Sequence, residues 1–375
     1  MHAPLLDSRS RVMLIAPHPD DESLAAGVFL QKAVAAKASV RVIYGTDGDN
    51  NAWPQRFLER KWRLRDADRC RWGHRRRAEA INALRMLRVD PADVEFLSLP
   101  DQGISDLLIA NGRATVAKIA SLILAWQPTH LLLPSAMDTH PDHSSLAILI
   151  RLAITEFLPL NHKLSELSYL VHGPSLAFTR SARQLSQTRL ERNIKRRAIA
   201  CHRTQVALSR RRFFAYANRP ETFALAQRHA PIVFDGPIRS ARRVGDALHI
   251  EVVFTMKPLR AEETALYLLG HNSTGNNIIC FSATLPGRPS DLAMVDCAAR
   301  EKSQFGRYEG DAFRAEITLP AGSFAVHRSL FVKLDRRVWF FDEAGWFEIP
   351  AEVPKPVVYH LNRAPSLSVT KLALR

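Results

Sequence analysis

The chain has 375 residues, 46% of them hydrophobic, so it is long enough for two domains and apolar enough to bury a large core. Its formal net charge of +15 predicts a negatively charged partner, substrate or surface. The four cysteines lie far apart without a CxxC pair, which argues against a disulfide framework or a cysteine-rich zinc site. We see no signal peptide and no run of about 20 apolar residues, so we expect a cytoplasmic protein.

The first part of the chain alternates short β-branched runs with helical patterns. The predicted strands are Val12–Ala16, Val40–Tyr44, Val94–Leu97, His130–Leu133 and Leu167–Val171. The predicted helices are Ser23–Ala36, Arg76–Leu87, Arg113–Trp126, Ser144–Phe157 and a basic helical region, Arg180–Arg219. This alternation is typical of βαβ units, and it predicts an α/β fold with a Rossmann-like, mostly parallel sheet and helices on both faces.

The pattern changes after about residue 230. Short, often alternating apolar runs follow one another, and Gly, Pro, Asn or Asp separates them. This arrangement predicts an all-β, sandwich-like C-terminal domain. We therefore expect a first domain in residues 1–228 and an accessory domain in residues 229–375 whose role the pattern does not indicate.

Two clusters of histidine and carboxylate side chains follow two of the predicted strands. "HPDDE" comes after Val12–Ala16, and "HPDH" comes after His130–Leu133. Because ligands of a parallel sheet bind beyond the carboxyl ends of its strands, we expect both clusters at one edge. His18 and Asp21 are three residues apart, a spacing that lets both side chains reach one ion. A divalent cation would also offset the crowded negative charge, so the clusters together predict a metal site.

These motifs resemble the hallmarks of the PIG-L/LmbE-like family of zinc-dependent N-acetylglucosaminyl deacetylases. The family's "A-H-P-D-D-E" is present with Pro17 inserted, and its "H-P-D-H" is intact. The stretches "TDGD", "LPDQG" and "RRAIACHRTQ" are also similar to family features, as is an Arg three residues before a Glu, at Arg76 and Glu79. The sequence departs from the family at Arg88, where a glycine is usual. The resemblance covers roughly residues 10–225 and leaves the C-terminal part outside it.

The resemblance implies an activity and a role for each motif residue. It implies one divalent ion per chain, zinc or alternatively iron(II), held by His18, Asp21 and His143. The implied catalytic residues are Asp20 as general base, His140 as stabiliser of the oxyanion, and Asp142 as a partner of His140 or of a metal ligand. Positions that resemble those facing the sugar are Arg76, Asp49 and Asp101. The implied substrate is an N-acetylglucosamine-type amino sugar or glycoconjugate, with a phosphate- or diphosphate-linked form as one option.

Other interpretations of the same residues are weaker. Two histidines and one carboxylate also describe the facial triad of non-haem iron oxygenases, but those sites need no second aspartate beside a ligand. A dinucleotide-binding domain is not indicated, because no G-x-G-x-x-G follows the first strand. Cys201 and His202 fall in a helical pattern without an orienting Asn or Asp, which favours packing over thiol catalysis. Trp339 and Trp346 are expected in the core rather than stacked on sugar rings.

The segment Trp53–Arg77 combines ten Lys and Arg residues with three acids and three tryptophans. Basic charge with aromatic side chains is typical of single-stranded nucleic-acid binding. The alternative function is therefore a basic nucleic-acid- or glycan-binding protein with a structural metal site. We favour a solvated face over nucleic acid, and in an enzyme the segment would overhang the pocket and meet substrate phosphates. Oligomerisation is left open.

Overall fold

A computed structural model describes the protein over residues 6–157, 164–173, 176–225, 236–254, 264–311, 313–338 and 340–351. These residues form a seven-stranded sheet in the first part of the chain, a nine-stranded sheet in the second part, and a two-stranded hairpin. The predicted domain boundary at residues 228 and 229 lies outside the described residues.

The first sheet is mostly parallel, as predicted. Its strands are β1 (Arg11–Ala16), β2 (Ser39–Thr46), β3 (Val94–Leu99), β4 (His130–Pro134), β5 (Ser165–Tyr169), β6 (Ala182–Leu185) and β7 (Glu221–Leu225). They are ordered β3-β2-β1-β4-β5-β7-β6, and β7 pairs antiparallel with both of its neighbours. Side chains of β1 alternate between two hydrophobic clusters, with Val12 and Leu14 in one and Met13 and Ile15 in the other. Apolar packing on both faces of the sheet explains why β1 is a continuous apolar run.

Ten α-helices are present in the described residues. They are α1 (Asp21–Ala25), α2 (Gly27–Ala35), α3 (Ala52–Glu59), α4 (Asp66–Met86), α5 (Ile104–Asn111), α6 (Arg113–Trp126), α7 (Pro141–Phe157), α8 (Leu176–Ser181), α9 (Arg189–Cys201) and α10 (Arg203–Asn218). Within the described part of the chain, no single helix is long and apolar enough to cross a membrane, and α5 and α6 pass that test only as a pair bent by 108°.

Three helix predictions needed correction. The predicted helix Ser23–Ala36 is two helices, α1 and α2, that meet at Ala26. Helix α4 begins ten residues before the predicted start because its first half is polar and has no apolar period to detect. The region Arg180–Arg219 is not helical throughout, since it contains strand β6, which pairs antiparallel with β7 at the edge of the first sheet.

The chain leaves helix α4 through a residue with a left-handed backbone conformation. Arg88 has φ 64°, a conformation that glycine adopts without steric cost. The arginine that departs from the family pattern therefore occupies the same kind of helix exit that a glycine would favour.

The second sheet is entirely antiparallel and barrel-like. Its strands are β8 (Ile238–Val244), β9 (Ala247–Val253), β10 (Ala265–His271), β11 (Ile278–Thr284), β12 (Ser290–Asp296), β13 (Lys302–Gly310), β14 (Arg314–Pro320), β15 (Leu330–Asp335) and β18 (Phe347–Ile349). The order is β18-β15-β10-β11-β12-β13-β14-β9-β8, and the two edge strands β18 and β8 lie against each other. A separate hairpin pairs β16 (Arg337–Val338) with β17 (Phe341–Asp342).

The two parts of the molecule share a buried junction. Trp346, 1% exposed, belongs to the same hydrophobic cluster as the apolar side chains of α7. Arg151 of α7 is buried between Glu166 of β5 and Glu348 of β18, at 2.8 Å from each carboxylate. A buried guanidinium that bridges one carboxylate of each sheet fixes how the sheets meet, because its removal would leave two buried charges unpaired.

Candidate active site

The two histidine clusters meet because β1 and β4 are neighbours. The strands pair in parallel, with Val12 opposite His130, and each is followed directly by one cluster. Strand order also reverses between β1 and β4, since β2 and β3 lie on one side of β1 while β4 and β5 lie on the other. Crevices at such a reversal, beyond the carboxyl ends of the strands, are the usual ligand sites of open α/β sheets.

Three potential metal-ligand atoms converge in this crevice. His18 Nδ1 lies 3.2 Å from His143 Nε2, and Asp21 Oδ2 lies 3.5 Å from the first and 3.3 Å from the second. All three residues are buried. Two imidazole nitrogens and one carboxylate oxygen at these separations match the protein ligands of a catalytic zinc site, which keeps its fourth position for water or substrate.

Carboxylates hold the far nitrogen of both histidines. His143 Nδ1 lies 3.1 Å from Asp138 Oδ2, and His18 Nε2 lies 3.1 Å from Asp142 Oδ2 and 3.3 Å from Asp101 Oδ1. Carboxylates placed behind ligating histidines fix the tautomer and the ring orientation, and they raise the basicity of the ligand. The side chain of Asp142 thus contacts His18, which is the contact that the predicted role as partner of a metal ligand requires.

The other oxygen of Asp21 gives a second indication of an ion. Asp21 Oδ1 is buried and has no hydrogen-bond partner among the described residues. A buried carboxylate oxygen without a partner is costly, and a bound cation would satisfy it. The donor set therefore fits the divalent ion implied by the sequence.

The buried acidic and basic side chains of the site shift one another's pKa values. Burial opposes ionisation of Asp21, but the imidazoles of His143 and His18 hold its pKa well below the usual range. Burial likewise opposes protonation of His143, but Asp21 and Asp138 raise its pKa to about 9. A positive charge between the buried carboxylates therefore stabilises the site, and either protons on the histidines or a metal ion can supply that charge.

Asp20 stands beside the three ligands with a strained backbone. Its φ of 143° is a conformation that favours glycine, and such strain is concentrated at functional sites. Burial raises the pKa of its carboxyl to about 6, although the Arg76 guanidinium, 3.1 Å away, opposes the shift. A carboxylate with a pKa near neutrality is suited to general base catalysis.

The residues expected to face the sugar differ in their surroundings. Arg76 is buried and donates to the carbonyls of Pro19 and Gly48 as well as to Asp20. A Cβ at Gly48, which has φ 66°, would overlap that guanidinium, so the turn requires glycine. Asp101 lies against His18, and Asp49 is partly exposed, with its pKa raised by burial and by the nearby Asp101.

A cluster of aromatic rings borders the ligands. The His140 ring is centred 4.8 Å from both His18 and His143, and His172 lies 4.8 Å from His143. Phe341 of the C-terminal hairpin packs 5.8 Å from His140 and 5.2 Å from His172. The nitrogen of His140 that faces the chain, Nδ1, accepts the backbone N–H of Asp142 at 3.2 Å, so the proton of a neutral His140 resides on Nε2.

Several side chains weighed as alternatives have other surroundings. Trp53 and Trp62 are exposed and pack edge to face, with the Arg56 guanidinium 5.4 and 5.5 Å from their ring centres, whereas Trp72 of the same basic segment is fully buried. His202 Nε2 lies 2.7 Å from Glu22 Oε1 in a buried pair, which agrees with a packing role. Trp346 is in the core as expected, and Trp339 lies outside the described residues.

Sequence reasoning missed three residues of the site. Asp138 lies two residues before His140 in "MDTH", and His172 follows β5 as the other histidines follow β1 and β4. Both signals were therefore present in the sequence. Phe341 gives no such signal, because only the folding of the second sheet against the first brings it to the site.

Residues 13–154 match the PIG-L family, described as GlcNAc-PI de-N-acetylase. No curated protein sequence matches the chain.

Solved structures with a similar fold include the conserved protein TT1542 from Thermus thermophilus (21% identity, 60% of this chain, 96% of that chain, TM-score 0.43). Another is the zinc-inhibited form of teicoplanin deacetylase Orf2 (21% identity, 57% of this chain, 97% of that chain, TM-score 0.44). A third is N,N'-diacetylchitobiose deacetylase from Pyrococcus horikoshii (19% identity, 58% of this chain, 84% of that chain, TM-score 0.45). Both histidine clusters lie within the matched residues, so the part of this chain that is similar to the PIG-L family contains the candidate metal site.

Proposed function

We propose that the protein is a metal-dependent deacetylase that hydrolyses the acetamide of an N-acetylated amino sugar or a conjugate of one. The observation that carries the proposal is the convergence of His18 Nδ1, His143 Nε2 and Asp21 Oδ2 beside a buried, strained Asp20. The match of residues 13–154 to the PIG-L family, described as GlcNAc-PI de-N-acetylase, supports the reaction class. Zinc is the ion we propose, with iron(II) as the alternative.

The metal, when bound, supplies a Lewis acid that lowers the pKa of a coordinated water to about 7 and polarises the acetyl carbonyl. His18, Asp21 and His143 would hold it, and Asp138 with Asp142 would keep the two imidazoles in the tautomers that ligation requires.

Asp20 acts as the general base. Its carboxylate takes the proton of the attacking water and returns a proton to the amine nitrogen as the C–N bond breaks, so acetate and a free amine are the products. Arg76 orients Asp20 through the 3.1 Å ion pair and through the two backbone carbonyls that it also binds. In this assignment Arg76 is a positioning residue rather than a contact of the sugar.

His140 stabilises the oxyanion. Because its Nδ1 accepts the Asp142 N–H, the free Nε2–H of a neutral His140 is the donor available to the tetrahedral intermediate. Burial and neighbouring cationic groups keep the pKa of His140 well below its usual value, so the imidazole is neutral at pH 7.

An acetate-release screen tests the proposal. The purified protein is assayed on N-acetylglucosamine, its oligosaccharides and its phosphorylated conjugates, with metal content measured on the same sample. We expect release of one acetate and one primary amine per turnover, loss of activity with a chelator, and recovery when zinc or iron(II) is added back. A metal-loaded protein that releases no acetate from any member of the panel would exclude the proposal.

The competing prediction, a nucleic-acid-binding protein with a structural metal, rests on the basic segment Trp53–Arg77. Its test is a gel shift with random single-stranded oligonucleotides at increasing salt. Tight, salt-sensitive binding that persists after the metal is removed would favour that function over the enzyme.

A further inference from the structure

The backbone of Asp20 is held by hydrogen bonds on both sides of its Cα atom. Its N–H donates to Glu22 Oε2 at 2.9 Å, and its carbonyl accepts the N–H groups of Ser23 and Leu24, each at 3.0 Å. These bonds fix the two peptide groups between which the residue adopts its φ of 143°. A strained conformation of this kind persists only where surrounding contacts enforce it. The bond to Glu22 is therefore one of the contacts that keep the Asp20 carboxyl in its position.

Glu22 is held in turn by a histidine that lies 180 residues further along the chain. The Glu22 side chain is buried, and its Oε1 atom lies 2.7 Å from His202 Nε2 and 2.5 Å from Ser23 Oγ. Because a carboxylate only accepts hydrogen bonds, His202 Nε2 carries a proton and is the donor. His202 is 1% exposed and lies between α9 and α10, where its carbonyl accepts N–H groups from the first turn of α10. Two hydrogen bonds thus connect His202, through Glu22, to the backbone of Asp20.

The same turn between α9 and α10 also binds the helix that carries Arg76. Thr204 donates its N–H at 3.2 Å and its hydroxyl at 2.6 Å to the buried carboxylate of Glu79. Glu79 lies three residues after Arg76 on α4, and Arg76 forms the 3.1 Å ion pair with Asp20. The turn is therefore connected to Asp20 twice, at the backbone through Glu22 and at the side chain through α4.

We propose that His202 is a positioning residue for the reaction, because through Glu22 it holds the strained backbone that places the Asp20 carboxylate. The inference rests on the proposed function, in which Asp20 is the general base. It gives the buried pair of Glu22 and His202 an effect on the rate of hydrolysis besides its contribution to packing. A misplacement of a reacting group by about 1 Å costs on the order of a hundredfold in rate, so a base held this way is sensitive to its support.

Three variants of the full-length, metal-loaded protein separate positioning from stability. His202→Leu removes the hydrogen-bond donor, whereas His202→Gln supplies an amide N–H in place of Nε2. Lys195→Met is the matched control, because Lys195 of α9 is also 1% exposed and also forms a buried 2.7 Å pair with a carboxylate, that of Glu221. Glu221 accepts from the first turn of α2, so this pair supports a different part of the fold.

Hydrogen exchange of the Asp20 amide reports the positioning without any substrate. It is followed by mass spectrometry on overlapping peptides that contain the residue. We expect exchange to be about tenfold faster in His202→Leu than in Lys195→Met, and to return towards the wild-type rate in His202→Gln. Because both Leu and Met variants lose a buried pair, the comparison removes the effect of lower global stability.

Kinetics on the best substrate of the acetate-release screen then measure the effect on the reaction. We expect kcat to fall about tenfold to a hundredfold in His202→Leu, with KM and metal content unchanged. His202→Gln should recover most of the lost rate, and Lys195→Met should keep the wild-type kcat. A role in stability alone would not separate kcat from KM in this way.

Equal exchange of the Asp20 amide in His202→Leu and Lys195→Met overturns the inference, and so does a wild-type kcat in metal-loaded His202→Leu. If His202→Leu does not fold, His202→Asn takes its place, since its amide is one methylene shorter than that of Gln. If no acetylated sugar is hydrolysed at all, the proposed function fails, and the exchange measurement still decides whether His202 holds the backbone of Asp20.

Discussion

At the scale of single residues, the site depends on carboxylates that act through histidine. Asp138 accepts from His143 and from the backbone N–H groups of Val171 and His172, so one buried side chain connects the loop after β4 to the loop after β5. In the proposed assignment, Asp138 is therefore a positioning residue for the ligand His143 rather than a ligand itself.

Replacing Asp138 with Asn should weaken the metal site without removing it. The amide is isosteric but loses the charge that raises the basicity of His143, so we expect metal affinity to fall by about 10- to 100-fold. The measurement is a competitive metal titration followed by kcat at saturating metal. Recovery of most of the rate at high metal concentration is the expected signature, whereas unchanged metal affinity would contradict the positioning role.

At the scale of elements, the segment from β17 to Trp346 lies directly on the loop between β4 and α7. Trp346 donates its backbone N–H to the Ala136 carbonyl at 2.7 Å, and Asp342 donates its own to Thr139 at 2.8 Å. A Cβ added at Gly345 would overlap the Ala136 carbonyl oxygen. The close approach of two backbones, rather than backbone conformation, requires glycine at this position.

Gly345→Ala should therefore separate the segment from the loop. We expect a loss of about 1–3 kcal/mol in the free energy of unfolding, as is usual for overpacking, together with lower activity. Gly322→Ala is the matched control, because its added Cβ would come no nearer than 3.9 Å to another atom. Denaturant unfolding of both variants provides the comparison, and equal stabilities would show that the contact between the segments is unimportant.

At the scale of the whole molecule, the C-terminal part of the chain contributes to the site through Phe341 of the β16–β17 hairpin. Its ring covers His140 and His172 from outside the part of the chain that matches the family. We thus expect the β16–β17 hairpin to shape the substrate pocket.

Phe341→Ala should raise KM and leave metal content unchanged, because the ring touches His140 and His172 but none of the three ligands. Phe305→Ala serves as the control, since Phe305 is a 66% exposed phenylalanine of β13. Steady-state kinetics on the best substrate of the acetate-release screen give the result. Identical KM values in both variants would mean that Phe341 does not contact substrate.

The parallel strands of the first sheet and the position of the candidate site could be predicted from the sequence, for a physical reason. The parallel strands bury both faces, so their apolar runs stand out, and the polar clusters that follow β1 and β4 mark the edge where ligands bind. The first half of helix α4 and strand β6 were missed because polar or very short elements carry little periodic signal. Phe341 was beyond sequence reasoning, since its role arises only from packing between distant parts of the chain.

The central claim, that Asp21 holds the metal while its neighbour Asp20 performs the chemistry, is tested most directly by measuring bound metal and kcat together in two variants. Asp21→Ala removes a ligand, so metal content and activity should fall together. Asp20→Asn keeps the size of the side chain but removes the base, so it should retain about one ion per chain and lose on the order of a hundredfold or more in kcat. Loss of the metal in Asp20→Asn, or retention of both metal and rate in Asp21→Ala, would contradict the account.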